Sequence, residues 1–438
     1  FNLSDFGCFR GKLLGVRKIR DDYQSLIELA RSRVRFDQLD INTSTTVTSP
    51  EKIGMAPVYR NTFNMSKLPD LAGGKLKLRD YPIHSYPPCS LGNGFNMYNP
   101  DFTGLESNIN CNNRISASGG RFKNLSTFVD ILGAESAFNH NSQMLLTHGR
   151  LETLSHLRGS KFNERSNWYV FDVSHNRLTD IDGLQDLNKA SYLRLNDNNI
   201  SDITAFTEME PDALQGTIEL NLRNNNITSL PAGVFDKFDS TLKRVYLSGN
   251  PLTTIDNLSS TPGMHNLDCS GSHYTGNESI ADLSNCTQLQ YLTMNSTPNI
   301  TALPDLTQTD LLQLQAINNP DLTDISSLAD AIKTTTTTQY STMVSETDAI
   351  LHQLIITNNP SLSETPLINR FNAGGRITVN GNLTLTNNPQ INDLRIFQNS
   401  LQDDTYTQKQ HHSLSRAAFE NTGVTDTANS LGIMRNFK

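Results

Sequence analysis

One pattern recurs from Trp168 onward: apolar, two variable, apolar, one variable, apolar, two variable, Asn, one variable, apolar. Self-similarity at a short period limits the fold more tightly than length does, because each copy must be one structural unit stacked on the next. The clearest copy is LRLNDNNISDI, Leu193 to Ile203, joined by FDVSHNRLTDI from Phe171, LNLRNNNITSL from Leu220 and VYLSGNPLTTI from Val245. A weaker copy, LDCSGSHY, starts at Leu267, and four later ones, MNSTPNITAL, AINNPDLTDI, IITNNPSL and LTLTNNPQINDL, carry an extra residue beside a proline. The polar column runs through Asn176, Asn198, Asn225, Asn250, Ser272, Thr297, Asn319, Asn359 and Asn388, mostly in steps of 22 to 29 residues. The 40-residue step from Asn319 to Asn359 contains the run Thr334–Thr338 and predicts a loop bulging outward near 331–348.

The alternating segment predicts one short strand per turn with its apolar residues facing inward. After the strand the chain bends and leaves buried backbone groups without strand partners. A carboxamide satisfies both kinds of orphan, since it donates and accepts. Ser and Thr do so only in part. Asn176, Asn198, Asn225, Asn250, Asn319, Asn359 and Asn388 are therefore assigned a structural role.

These motifs resemble those of the leucine-rich-repeat superfamily over about Trp168 to Leu394. The copies of 22 residues ending in Asp-Ile resemble the short repeats of bacterial internalin-like proteins, and SLPAGVFDKF, Ser229 to Phe238, is similar to the outer segment of receptor-type repeats. The resemblance implies an α/β solenoid with a parallel concave β-sheet and a binding role. It implies no particular ligand.

Outside this region the repeat weakens. LKLRDYPI (Leu76 to Ile83), FNMYNPDFTGL (Phe95 to Leu105), NINCNNRI (Asn108 to Ile115) and the stretch from Phe138 to Met144 read as irregular turns that continue the sheet from about residue 70. Residues 1–65 read as an N-terminal docking segment: an amphipathic helix, Asp21 to Val34, then an alternating strand from Phe36. Residues 66–167 form the degenerate turns, 168–395 the regular solenoid and 396–438 a tail of short helices.

Composition narrows the function. The formal net charge is −8, and the densest basic stretch, Arg10 to Arg20, has few aromatics, which argues against a nucleic-acid partner. No apolar run reaches the length of a membrane span, and the first residues do not read as a signal peptide. HExxH, GxSxG and GxxxxGK[ST] are missing, so the chain reads as no enzyme, with no cofactor, metal or catalytic residue assigned. Five cysteines are scattered without paired spacing, and Cys269 and Cys286 read as buried structural thiols, with a disulfide between them left open. Asp180, Asp202, Asp256 and Asp324 recur late in their repeats and read as caps of the next segment rather than as calcium ligands.

The candidate binding face is the outward side of the sheet. Tyr192, Arg194, Asn221, Arg223, Arg244, Tyr246, Asp268 and Tyr291 fall there, and Tyr and Arg are the types that dominate interaction hot spots. The expected partners are proteins: other subunits of an assembly such as a phage virion, or, for a secreted internalin-like adhesin, a host surface receptor or glycan. The virion reading is the leading expectation for function and location; the cell surface is the alternative.

Overall fold

The computed structural model describes residues 142–397 and 416–423, apart from breaks at 160–167, 188, 211–212, 239, 256, 274–282 and 331–348, together with Leu125 and the backbone of seven strands between Lys12 and Ser118. The expected helix at Asp21 to Val34, the threonine loop and most of the tail after residue 397 lie outside the described residues. The chain divides into two compact units, residues 1–219 and 220–438.

In the first unit the strands are β1 (Lys12–Leu13), β2 (Gln38–Asn42), β3 (Lys75–Arg79), β4 (Ser90–Leu91), β5 (Phe95–Tyr98), β6 (Asn110–Cys111), β7 (Arg114–Ser118), β8 (Ser142–Leu145), β9 (Trp168–Asp172) and β10 (Ala190–Arg194). Strands β1, β2, β3, β5, β7, β8, β9 and β10 pair in that order, all parallel, while β4 and β6 form a separate parallel pair. Strand β11 (Glu219–Asn221) falls where the units divide. In the second unit β12 (Arg244–Tyr246), β13 (Asn266–Asp268), β14 (Tyr291–Thr293), β15 (Gln313–Ile317), β16 (Ala349–Thr357), β17 (Ile377–Thr384) and β18 (Arg416–Ala418) again pair consecutively and in parallel.

Three details differ from the sequence reading. The sheet starts well before residue 70, at β1 and β2, and around Asn108 to Ile115 the main-sheet strand is the later segment Arg114–Ser118. In the tail, Arg416–Ala418 is a strand where short helices were expected. It takes the place of the alternating segment: Leu383 pairs with Ala417 and Thr384 with Ala418. The following bend repeats too, since Thr422 Oγ1 donates to the Phe419 carbonyl (2.9 Å) three residues back, as a ladder residue does. Alanine at the leucine position hid this turn.

The core is a stack of thin apolar layers. The inward pairs Leu193/Leu195, Leu220/Leu222, Val245/Leu247, Leu292/Met294, Leu314/Ala316, Leu354/Ile356 and Leu383/Leu385 are fully buried. Short 3₁₀ turns close several layers from the other side, burying Leu184, Phe206, Leu258 and Phe397. Between β16 and β17 that role passes to α1 (Glu364–Asn372), capped by the Ser363 hydroxyl, which accepts from Thr365 N–H, and burying Leu367. Gly183 shows how closely turns approach: its φ is +104°, and a Cβ there would collide with the Leu154 carbonyl oxygen.

The ladder side chains bridge neighbouring turns. Asn176 Nδ2 donates to the carbonyls of Leu146 (2.6 Å) in the previous turn and Val173 (2.9 Å) in its own, and its Oδ1 accepts from Leu151 N–H (3.2 Å). Asn198 repeats this with Val173, Leu195 and Leu178, and Asn250 with Leu222, Leu247 and Ile227. Asn319 Oδ1 accepts from Thr297, and Asn359 and Asn388 continue the file at the backbone N–H groups of Asn319 and Asn359. Ser272 is too short to do the same; its hydroxyl donates to Cys269 O (2.8 Å) in its own turn.

A second column precedes the ladder. The residue just before each ladder position has positive φ: His175, Asp197, Asn224, Gly249, Gly271, Ser296, Asn318, Asn358 and Asn387, with His148 and Asn421 in the flanking turns. The chain must reverse its winding there to enter the bend. Asn, Asp and Gly tolerate that region, whereas branched residues do not.

Candidate interaction face

The outward face of each unit's strands carries the candidate residues, and the structure joins them into networks. In the first unit Tyr169 and Tyr192 meet edge to face with ring centroids 5.1 Å apart, and the Arg194 guanidinium lies 5.7 Å from the Tyr192 ring centre. Arg194 Nε donates to Glu219 Oε1 at 3.1 Å, and its Nη1 is 3.9 Å from Asp172. Asp172 also accepts from the Ser174 hydroxyl (2.6 Å) and backbone N–H (3.0 Å), fixing the carboxylate in place. A hydrogen bond to Tyr192, the proximity of that phenol's own charge and burial push the Tyr169 hydroxyl above the usual tyrosine pKa, partly opposed by Arg194.

In the second unit Arg223 is the hub. Its guanidinium stacks 4.0 Å from the Tyr246 ring centre, donates from Nη2 to Asp268 Oδ2 at 2.6 Å, and reaches Ser248 Oγ from Nε at 3.0 Å. Asp268 is buried and its second oxygen accepts from Ser270 N–H and hydroxyl. Asn221 Oδ1 accepts from Arg223 N–H at 3.2 Å. Parallel register sets Arg244 beside Asn266 and Tyr291 in one row, and Tyr246 beside Asp268 and Thr293 in the next. Arg244 and Tyr246 are half-buried, whereas Tyr291 is 40% exposed and is the most open of the predicted set.

The structure thus separates the eight candidates by unit: Tyr192 and Arg194 in the first, Asn221, Arg223, Arg244, Tyr246, Asp268 and Tyr291 in the second. Asp172 and Glu219, outward and flanking positions of the repeat that the eight chosen residues leave out, belong to these networks, as does Tyr169, which the sequence reading did not place on the face. The carboxylates are visible in sequence as outward positions; only cross-strand register shows that they hold the arginines. Tyr169 stands one residue ahead of the flanking position in the repeat, so the period did not assign it to the face.

The remaining candidates resolve simply. Cys269 and Cys286 are buried thiols; Cys269 Sγ approaches the Thr293 carbonyl and Cys286 Sγ the Leu258 carbonyl, each at 3.5 Å. Asp202 Oδ1 accepts from Thr204 N–H (2.8 Å) and hydroxyl (2.7 Å), capping a 3₁₀ turn, and those bonds, the backbone one first, lower its pKa. Asp324 accepts in the same way from Ser326 N–H at the start of the 3₁₀ turn Ser326–Asp330, whereas Asp180 accepts from Asp182 N–H ahead of the turn Leu184–Asp186 and does not cap it; Asp256 lies outside the described residues. At Asp393, burial works to raise the pKa, but hydrogen bonds and charge from Arg395 outweigh it and the net shift is downward. Among the described residues no His/Cys/Asp/Glu group is placed to hold a metal ion, and no helix is long and apolar enough to cross a membrane.

A parallel strand, an inward apolar residue pair and a left-handed residue before the bend recur from turn to turn, with asparagine amides bridging most of the turns, and this is the leucine-rich-repeat solenoid fold. Among solved structures, the chain is similar to an internalin, InlF, from Listeria monocytogenes, at 17% identity over 75% of this chain and 86% of that one, with a TM-score of 0.43. It is similar also to internalin C2 from Listeria monocytogenes (20% identity, 57% and 79% covered, TM-score 0.34) and to YopM from Yersinia enterocolitica (14%, 96% and 94%, TM-score 0.33). No family model and no curated protein matches the chain.

Proposed function

We propose that the chain is a non-enzymatic interaction protein that binds a protein partner through the outward face of its sheet, as a subunit of a larger assembly such as a phage virion. The observation that carries the binding role is the order of the face before any partner arrives. Arg194 and Arg223 are each held by carboxylates and lie against Tyr192 and Tyr246. Side chains already fixed lose little entropy on binding, which is where contact surfaces gain affinity. The same pairing supports a contact role over catalysis, since Asp172, Glu219 and Asp268 are engaged with arginines or hydroxyls rather than set aside to move a proton. The virion setting rests on the sequence reading of residues 1–65 and 396–438 as docking segments.

Two measurements test this reading. Antibody against the chain should label purified particles; label confined to a cell surface would replace the virion setting with the adhesin one. With a partner in hand, Tyr291→Ala combined with Tyr246→Ala should weaken binding by about tenfold or more while the melting temperature moves little. Wild-type affinity in that double variant would move the interface off this face.

A further inference from the structure

At the bends that follow β15 to β18, the left-handed column is asparagine four times running: Asn318, Asn358, Asn387 and Asn421, all exposed. Their carboxamides form a head-to-tail file. Asn358 Nδ2 donates to Asn318 Oδ1 (2.8 Å), Asn387 Nδ2 to Asn358 Oδ1 (2.6 Å) and Asn421 Nδ2 to Asn387 Oδ1 (2.7 Å). Within the file each inner amide spends one N–H and accepts one bond, so a second N–H and a second lone pair face solvent at every step. Beside the file runs a shallow groove of about 510 Å³ lined by Asn318, Pro320, Asn358, Pro360 and Asn387.

Backbone conformation alone does not require this run. The equivalent positions at Gly249, Gly271 and Ser296 adopt the same left-handed φ with other residues. The groove lining carries no charge, which gives no hold on a phosphate backbone or a charged peptide. Its pitch is the strand spacing, about 4.8 Å, whereas an extended peptide presents same-side polar groups about every 6.8 Å and falls out of register along the file. An extended chain of pyranose rings advances by close to one such step per ring. Because every edge of a ring carries hydroxyl or ring oxygens, each amide meets a polar group of the sugar even though successive rings are flipped. Proline rings alongside supply apolar surface for the C–H faces of the sugar.

We propose that this asparagine file is a binding site for a neutral, linear glycan, separate from the sheet face. The probes are cellohexaose, chitohexaose and maltohexaose, titrated calorimetrically into the full-length protein. At least one should bind, and Asn358→Gly with Asn387→Gly should weaken it about tenfold or more. Glycine at these positions keeps the backbone, as Gly249 and Gly271 demonstrate, so the melting temperature should hold. Tyr246→Ala should leave glycan binding unchanged. The proposal is overturned if none of the three oligosaccharides binds at millimolar concentration, if the double glycine variant binds as wild type does, or if Tyr246→Ala removes binding.

Discussion

A buried carboxamide is costly unless its polar atoms are engaged. Asn250, 1% exposed, engages them: it donates to Leu222 and Leu247 and accepts from Ile227. Leucine there would strand groups in two adjacent turns, at about 1–3 kcal/mol for each one left unsatisfied. Ser272→Ala removes one bond confined to a single turn and should cost only about 1 kcal/mol. Thermal melts should therefore order the variants Ser272→Ala above Asn250→Leu; the reverse order would mean the ladder does not hold turns together. The ladder was legible in the sequence because chemistry restricts it to Asn, Ser and Thr. The left-handed column beside it was not, since His, Asp, Asn, Gly and Ser share nothing but the ability to take positive φ.

At the scale of elements, parallel register is the constraint. Gln313 to Ile317 pair in unbroken register with Gln353 to Thr357, although the connection between them holds the whole 331–348 insertion. The ladder is continuous there too, with Asn319 N–H donating to Asn359 Oδ1 at 3.0 Å. Closing a longer surface loop costs little, because the entropic penalty grows only logarithmically with length. Deletion of Thr334 to Thr347 should leave soluble protein with a melting temperature within about 5 °C of wild type; loss of soluble protein would place the segment in the core. The period of the regular turns made their strands legible, whereas three features escaped it for separate reasons. Alanines masked the turn at Arg416–Ala418. The unequal turn lengths concealed which carboxylate meets which arginine, and the exposed asparagine file depends on side chains brought together from turns up to 40 residues apart.

At the largest scale, the described turns of the second unit are joined by nearest-neighbour bonds. Leu247 N–H donates to Asp268 O, Cys269 N–H to Thr293 O, Met294 N–H to Gln315 O and Leu385 N–H to Ala418 O, each from one turn to the next. Stability in such an array is close to a sum over turns and the joints between them. That arithmetic explains how a chain only 36% hydrophobic can hold a fold of this length: no layer needs to be thick.

Joints in series also behave as links in a tether. Pulled from its ends, the second unit should come apart turn by turn, and among the turns from Asn250 to Asn388 the first link to give should lie beside Ser272, whose hydroxyl stays in its own turn. Releasing the 22 residues between Asn250 and Ser272 would lengthen the tether by about 75 Å. Single-molecule extension should show that increment first in the wild type, and Ser272→Asn, by completing the ladder, should raise the force at which it occurs. A first increment unaffected by that substitution would place the weak link elsewhere. A protein built this way yields to tension by paying out chain locally, while the turns on either side keep their shape and whatever they hold.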